Sequence, residues 1–550
     1  MAETVLPGVS IEVRDEGLLI PLGVTVGNLG VVGTASKGPL NTAVILGSYA
    51  EARETFGEYD AWVDGASSEL TLVRALEQAF RHGAGTVFAV RVANGTPASA
   101  AFTVAAAGGA GAELVAATPG TWGNAISVEV TAADERAFIR GEDNPGANPV
   151  VLSRTPEASA RNQVRVRYLS GQTRVFPVVS GSPGLGQAQI SGANLVFNAG
   201  EPLTADDTVL ADYVVAQASS RQVTFRSGTT TEAYVVADGQ HLVDQVSPAT
   251  GPGGSRLLRA TVGADPDGLL NLGLIQAGTS GGNGEAAVST DYDRGFEALM
   301  YEPAHIMVAA GQDSTVYGSE LKAHCEAASG DVHQAERIGV TGSALGATVD
   351  ELRGHGLDSP RLIFVAPGIK SADAASGKDV ILPGAYAAAA IAGMLGAIDP
   401  EVSLTNKAPS VDDLELRFTR PELSQLVQAR VLALESSRDR GIRVVKGITT
   451  ATNTAWHQIT TRRIVDYAIF GVRSAGRPFI GRLNNERVRS ALRTSINSFL
   501  ADMVLDEMLI SYELDVTATR DQEIRGIVQV TMVLRPVFSI DFIKVTIFLQ

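Results

Sequence analysis

Between about Ala98 and Gly254 this chain loses nearly all helical periodicity. Short apolar runs recur there instead: "ISVEV", "QVRVRYL", "TRVFPVV", "ANLVFN", "RQVTFRS" and "EAYVVAD", separated by Gly, Pro, Asn and Asp. That spacing predicts an all-β region. Both flanks have a different texture. Before the β-rich block, "VTVGNLGVVGTA" and "TVFAVRV" are predicted strands, and "AEARETFGEY" and "SSELTLVRALEQAFRHG" predicted helices. After it, "AHIMVAAG", "STVYGSELKAHCEAA", "ERIGVTG", "TVDELRGHG" and "RLIFVAPG" alternate strand and helix. Such alternation predicts a parallel, doubly wound sheet. The fold class expected is therefore multidomain α/β plus α+β: one discontinuous α/β domain, residues 23–97 and 255–370, carrying an inserted β-rich outer domain, 98–254.

From 371 to 537 the pattern is α+β. "ELSQLVQARVLALESSRDRG" is predicted as one helix and "IRVVKGITT" as a strand. "TTRRIVDYAIFGVRSAG" and "NNERVRSALRTSINSFLADMVLDEMLI" are further helices, and two strands flank "TRDQEIRG". The ends, 1–22 and 538–550, read as terminal strands, the first being either a hairpin edge within its own domain or an arm that leaves it. In "PGVSIEVRDEG", Val9, Ile11 and Val13 share one side of a strand. In "FSIDFIKVTIFLQ", Phe538, Ile540 and Phe542 share one face, and Ile543, Val545, Ile547 and Leu549 the other. An apolar strand left open at a terminus is an aggregation hazard, so these arms call for a partner that covers them.

The chain of 550 residues is 45% apolar and 19% charged, a globular composition. Its net charge of −16 argues against a general nucleic-acid binder. The most apolar helical stretch, "AYAAAAIAGMLGAI" at 385–398, is too short to span a bilayer. "MAETVLPGVS" lacks a basic segment followed by an apolar one, so no secretory signal is predicted and cytoplasmic synthesis is expected. A single cysteine, Cys325, excludes an intramolecular disulfide. "GTASKGPL" lacks the order of a phosphate loop. His324 and His333 are nine residues apart, off the helical repeat for a shared metal face. The Ser280 of "AGTSGGNG" and the His82 of "RHGAGT" come with no placed acid. No cofactor, no metal and no enzymatic activity are expected.

Charge inverts locally. From Arg438 to Arg493 twelve basic residues face three acidic ones, giving +9. Solvated helix faces would explain this. A docking surface for an acidic partner would as well. On the helix around "NNERVRSALRTSINSFLADM", Glu486, Arg489 and Arg493 fall on one stripe, with Val488, Leu492, Ile496 and Phe499 on the buried one. Arg482 and Arg487 add to the outer charge.

Five segments carry a resemblance: "PGVSIEV", "TPGTWGNAISVEV" (118–130), "LPGAYAAAAIAGMLGAIDP" (382–400) followed by "LTNK", "ITTRRIVDYAIFGV" (459–472) and "RPVFSIDFIKVTIFLQ". With these in this order, the chain resembles the contractile tail sheath proteins of phage tails, R-type pyocins, type VI secretion and extracellular injection systems. The resemblance implies an α/β domain similar to a subtilisin-like fold without its catalytic residues. It implies arms that complete a β-sheet in the C-terminal domain of neighbouring copies. It further implies a helical homo-oligomer on an inner tail tube protein, bounded by baseplate and tail terminator proteins, that contracts to drive the tube through a target envelope. The expected setting is a virion tail assembled in the host bacterial cytoplasm, with no direct nucleic-acid or membrane binding. In that frame the arm residues are Val9, Ile11, Val13, Ile543, Val545, Ile547 and Leu549, and Arg482, Arg487, Arg489 and Arg493 face the tube. Phage tail against other contractile injection system stays open. A subtilisin-like hydrolase is the alternative class, and sedimentation separates it, since only a sheath forms long tubes.

Overall fold

The computed structural model describes residues 27–64, 70–248, 254–276, 280–541 and 543–547. Val9, Ile11, Val13, Phe542 and Leu549 lie outside them.

The body is an eight-stranded sheet. In chain order its strands are β1 (Leu29–Gly33), β2 (Ala43–Leu46), β3 (Val87–Arg91), β4 (Ile306–Ala309), β5 (Ile338–Gly342), β6 (Leu362–Ala366), β7 (Leu432–Ser437) and β8 (Gly441–Val444). Their spatial order is β2-β3-β1-β4-β5-β6-β7-β8. The six central strands pair in parallel, and β2 and β8 close the edges antiparallel. β1, β3, β5 and β6 are buried along their whole length, as a sheet covered on both faces requires. Alternate residues feed two cores. Val31, Val340, Ile363 and Val365 face helices α2 (Thr71–Arg81) and α5 (Gly384–Gly396), and α1 (Tyr49–Phe56) adds Ala52 and Phe56 to the same core. Val32, Leu362 and Phe364 face α3 (Ser289–Ala298), α4 (Ser314–Ala328) and α6 (Arg420–Gln428).

The alanine-rich α5 has almost no polar side: Gly384 to Gly393 and Leu395 are all buried. Its small residues let backbones approach closely. A Cβ at Gly393 would press into the carbonyl oxygen of Ala79 on α2. Cys325 sits fully buried on α4, where burial pushes its thiol up to about 12.

Two expected boundaries move. The sheet does not end near 370: α5, β7 and β8 all belong to the body. The single helix expected over "ELSQLVQARVLALESSRDRG" is a helix followed by a strand. α6 ends at Gln428, Arg430 takes a left-handed φ of 68°, and Leu432–Ser437 joins the sheet beside β6. An apolar run this short suits either structure, and here the open edge of β6 decided it. The β-rich block likewise runs past 254, because strands Leu258–Val262 and Gly273–Gln276 pair with strands inside it.

That block holds two nested cores. Strands Ala101–Ala106, Gly109–Ala116 and Leu258–Val262 form one sheet, and Ser127–Ala132, Arg221–Ser227, Thr230–Val236 and Gly273–Gln276 another. The two sheets share a core with the helix Gly239–Val246. Residues 137–215 leave this unit and build a second set of sheets around Phe176, Phe197 and Tyr213. Arg154 of the second unit pairs with Asp238 of the first at 2.5 Å, both nearly buried. The chain enters and leaves the block side by side, through antiparallel bridges Asn94–Glu285 and Ala98–Gly282. At this joint Gly38 N–H donates to Thr118 Oγ1 at 3.1 Å. The fully buried Arg91 donates to the carbonyls of Gly38 (2.9 Å) and Pro119 (2.6 Å). Lys37 lies 5.0 Å over the Trp122 ring. The "TPGTWGN" segment is thus the seal between body and β-block.

Candidate assembly surface

Beyond β8 the chain forms a small α+β unit. It comprises α7 (Ile459–Gly476), α8 (Glu486–Leu505), β9 (Leu509–Thr517), the short helix α9 (Arg520–Ile524) and β10 (Gln529–Pro536). Asn485 caps α8, accepting from the Val488 N–H at 2.9 Å. α7 and α8 pack through Ile464, Ala468, Ile496, Phe499 and Leu500, and a Cβ at Gly471 would overlap the Phe499 ring. α7 also bolts the unit to the body. Arg361 grips Asp466 with two hydrogen bonds of 3.0 Å, Arg462 donates to the same carboxylate at 2.6 Å, and Arg473 pairs with Glu336. Arg463 is buried against the carbonyls of Ile398 (2.9 Å) and Asp399 (3.1 Å), and burial pushes it down to about 10.

β9 and β10 form a two-stranded hairpin over these helices. Tyr512, Leu514, Val516, Val530, Met532 and Leu534 face inward, yet they are only half-buried. A two-stranded sheet is marginal alone; three or more strands normally complete such a face. Among the described residues, neither outer edge of the hairpin pairs with another strand. Each edge therefore offers a row of unpaired N–H and C=O groups.

The C-terminal arm starts next to this hairpin. The Val537 N–H donates to the Met508 carbonyl at 3.1 Å. The Asp541 carboxylate then accepts from Thr405 Oγ1 (3.3 Å) and Gln458 Nε2 (3.1 Å) and lies 3.4 Å from Lys446 Nζ. Past it, Ile543, Val545 and Ile547 are 82%, 75% and 79% exposed. They share one strand parity, so one apolar stripe is left uncovered.

The four arginines expected to face a tube do not stand alike. Arg487 and Arg493 are exposed on α8, and among the described residues neither has an acidic partner within 4 Å. Arg482 is exposed and donates to the Pro478 carbonyl at 3.0 Å. Arg489 is largely covered, paired with Glu523 of α9 at 2.9 Å and bonded to Asn484 Oδ1. The local +9 is therefore not all surface charge. Lys446, Arg473 and Arg489 are matched by Asp541, Glu336 and Glu523, acids outside the segment. Charge counted along the chain misses partners folded in from elsewhere. Ser280 Oγ accepts from the Ala101 N–H, while the buried His82 holds the Gln78 carbonyl through Nδ1 at 2.7 Å. Each has a structural partner in a different part of the fold.

Known proteins match this arrangement. Residues 285–450 match the model of the phage tail sheath protein central domain, and 451–550 that of the phage tail sheath C-terminal domain. Both matched models are of phage tail sheath proteins, and together they cover residues 285–550. The two matched spans meet the structure at its own joints: the sheath central domain begins where the β-block returns at Glu285, and the C-terminal domain begins between β8 and α7. A tail sheath protein of Bacillus phage SP01 is 30% identical over 162 residues, which is 28% of this chain and 28% of that protein. Two solved structures share the sheath fold. The sheath tail protein of Desulfitobacterium hafniense superposes with a TM-score of 0.60 at 13% identity, over 96% of this chain and 100% of that one. The sheath tail protein of Listeria innocua gives 0.58 at 14% identity, over 94% of each.

Proposed function

We propose that this chain is the repeating subunit of a contractile tail sheath. Copies polymerise helically around an inner tail tube protein, between a baseplate and a terminator, and contract to push the tube through a target envelope for delivery of genome or effectors. The observation that carries the reading is the half-built β9–β10 sheet, open at both edges among the described residues, in a chain whose C-terminal arm exposes an apolar stripe. An arm from one copy adds to the sheet of the next through main-chain hydrogen bonds, and its alternate side chains cover the half-buried face. Repeated head-to-tail, such contacts do not close and give a helical polymer. The N-terminal arm, with Val9, Ile11 and Val13, serves the second open edge. The body acts as a rigid, non-catalytic block of subtilisin-like type. Assembly takes place in the host bacterial cytoplasm, and the product is part of a virion tail or a related particle.

Deleting residues 540–550, or 1–16, is expected to leave a folded, soluble subunit that forms no tubes in negative-stain micrographs. Tubes of normal length from either truncation would refute the exchange of that arm.

A further inference from the structure

A strand that holds two copies together must itself be held by its own copy. The arm follows directly on β10, the last strand of a two-stranded hairpin. Pulled from its end, such a strand peels from its single partner one hydrogen-bonded pair at a time. What lies between β10 and the exposed stripe therefore decides how much tension the arm can bear.

The structure puts Asp541 there. Its side chain is only 10% exposed although its neighbours beyond residue 542 stand in solvent. Four side chains converge on it: Thr405 (3.3 Å), Gln458 (3.1 Å), Lys446 (3.4 Å) and Ser539 (3.3 Å). Except for Ser539, none belongs to the β9–β10 hairpin or its continuation. Thr405 follows α5, Lys446 follows β8, and Gln458 is the residue just before α7. The seat is itself rigid. Thr405 Oγ1 also accepts from the Gly447 N–H at 3.1 Å, the Asn406 N–H donates to the Val444 carbonyl at 2.8 Å, and the Val444 N–H donates to Lys407 at 2.9 Å. The 404–407 segment is thereby zipped to the end of β8, at the edge of the eight-stranded sheet.

We infer that Asp541 is a strain-relief anchor: it fixes the C-terminal arm to the body, so that a pull from the neighbouring copy is delivered to the body and not to β10. This rests on the strand-exchange reading above. The residue is a positioning residue. It acts through the arm: it sets where the arm leaves and keeps the hairpin from being peeled. A carboxylate suits the task because charge-assisted hydrogen bonds are about twice as strong as neutral ones. The change of apolar face, between Phe542 and Ile543, falls one residue past the anchored one.

The test uses the full-length chain in three forms: wild type, Asp541→Ala, and a deletion of 543–550 that keeps the anchor. Trypsin cleaves after Lys544, and it needs the residues before the bond extended as far back as Asp541, so the cut requires Asp541 to leave its seat. Release of the 545–550 peptide, followed by mass spectrometry, therefore reports how often the anchored stretch opens. Asp541→Ala is expected to release it about tenfold faster, since cleavage tracks the population of the open form. Its thermal melt should match wild type, and it should give fewer and shorter tubes. The exchanged pair, Asp541→Lys with Lys446→Asp, should recover part of the slow release, which a mere loss of packing would not. Wild-type release from Asp541→Ala, with normal tubes, overturns the anchor while leaving strand exchange intact, provided the 543–550 deletion forms no tubes. Normal tubes from that deletion refute strand exchange instead, and the trypsin rates then still decide whether Asp541 holds the arm.

Discussion

Single residues set how closely the layers of this molecule approach. In an exposed helix, replacing glycine by alanine usually stabilises by up to about 1 kcal/mol. Gly393 should show the opposite sign. It lies in α5 against the backbone of Ala79, and a backbone carbonyl cannot rotate away as a side chain can. Gly393→Ala is expected to destabilise the protein by about 1–3 kcal/mol, the usual range for overpacking a tight core. A denaturant midpoint at or above wild type would show that α2 and α5 can separate at little cost. The glycine was visible within an apolar run, but nothing local distinguished it from its neighbours Gly384 and Gly396. Its role depends on Ala79, more than 300 positions away in the chain.

At the scale of elements, the arginines of α8 stand in two different settings. Arg487 and Arg493 are exposed without acidic partners among the described residues, whereas Arg489 ties α8 to α9 through Glu523. Reversing Arg487 and Arg493 to Glu should leave stability within about 0.5 kcal/mol, as is usual for surface sites. It should weaken assembly on an acidic tube, and added salt should reproduce the defect by screening the same charges over about 8–10 Å. Arg489→Glu sets two carboxylates side by side and should cost about 1 kcal/mol, the upper range for partly exposed pairs. Chemical denaturation separates the two variants, and co-sedimentation with the tube at low and high salt tests the docking role. Undiminished co-sedimentation of the double reversal would leave these arginines as a solvated face. The amphipathic pattern of α8 was readable from its spacing. That Arg489 belongs to an internal pair was not, because Glu523 approaches only once the hairpin folds back.

At the scale of the whole molecule, the β-block is a loop of the body. It enters and leaves at Asn94 and Glu285, which are bridged to each other. Replacing residues 95–284 with a short Gly-Ser linker should therefore leave a folded body that still assembles. The cost should fall on Arg91, which is fully buried and would lose the Pro119 carbonyl, one of its two acceptors. An unmet buried donor costs about 1–3 kcal/mol, so the excised chain should melt lower than the parent. Adding Arg91→Met to it should regain much of that loss. Aggregation of both excised forms would show that the β-block supports the body instead of decorating it.

The local signals and the long-range ones came apart for a physical reason. Periodicity, turn residues and caps act over a few positions. The sequence by itself therefore determined most elements, including α4 over "STVYGSELKAHCEAA", the strands of the β-block, and the polar and apolar sides of α8. It also determined that the C-terminal arm alternates, which remains the feature most telling of assembly. Pairing acts between positions hundreds apart and leaves no local mark. Only the tertiary structure decided that Leu432–Ser437 is a strand, because its partner is the open edge of β6. In the same way it decided that the body reaches past 370 and that the β-block closes near 285. It also assigned much of the basic segment to internal pairs, and placed Asp541 where Thr405, Lys446 and Gln458 converge.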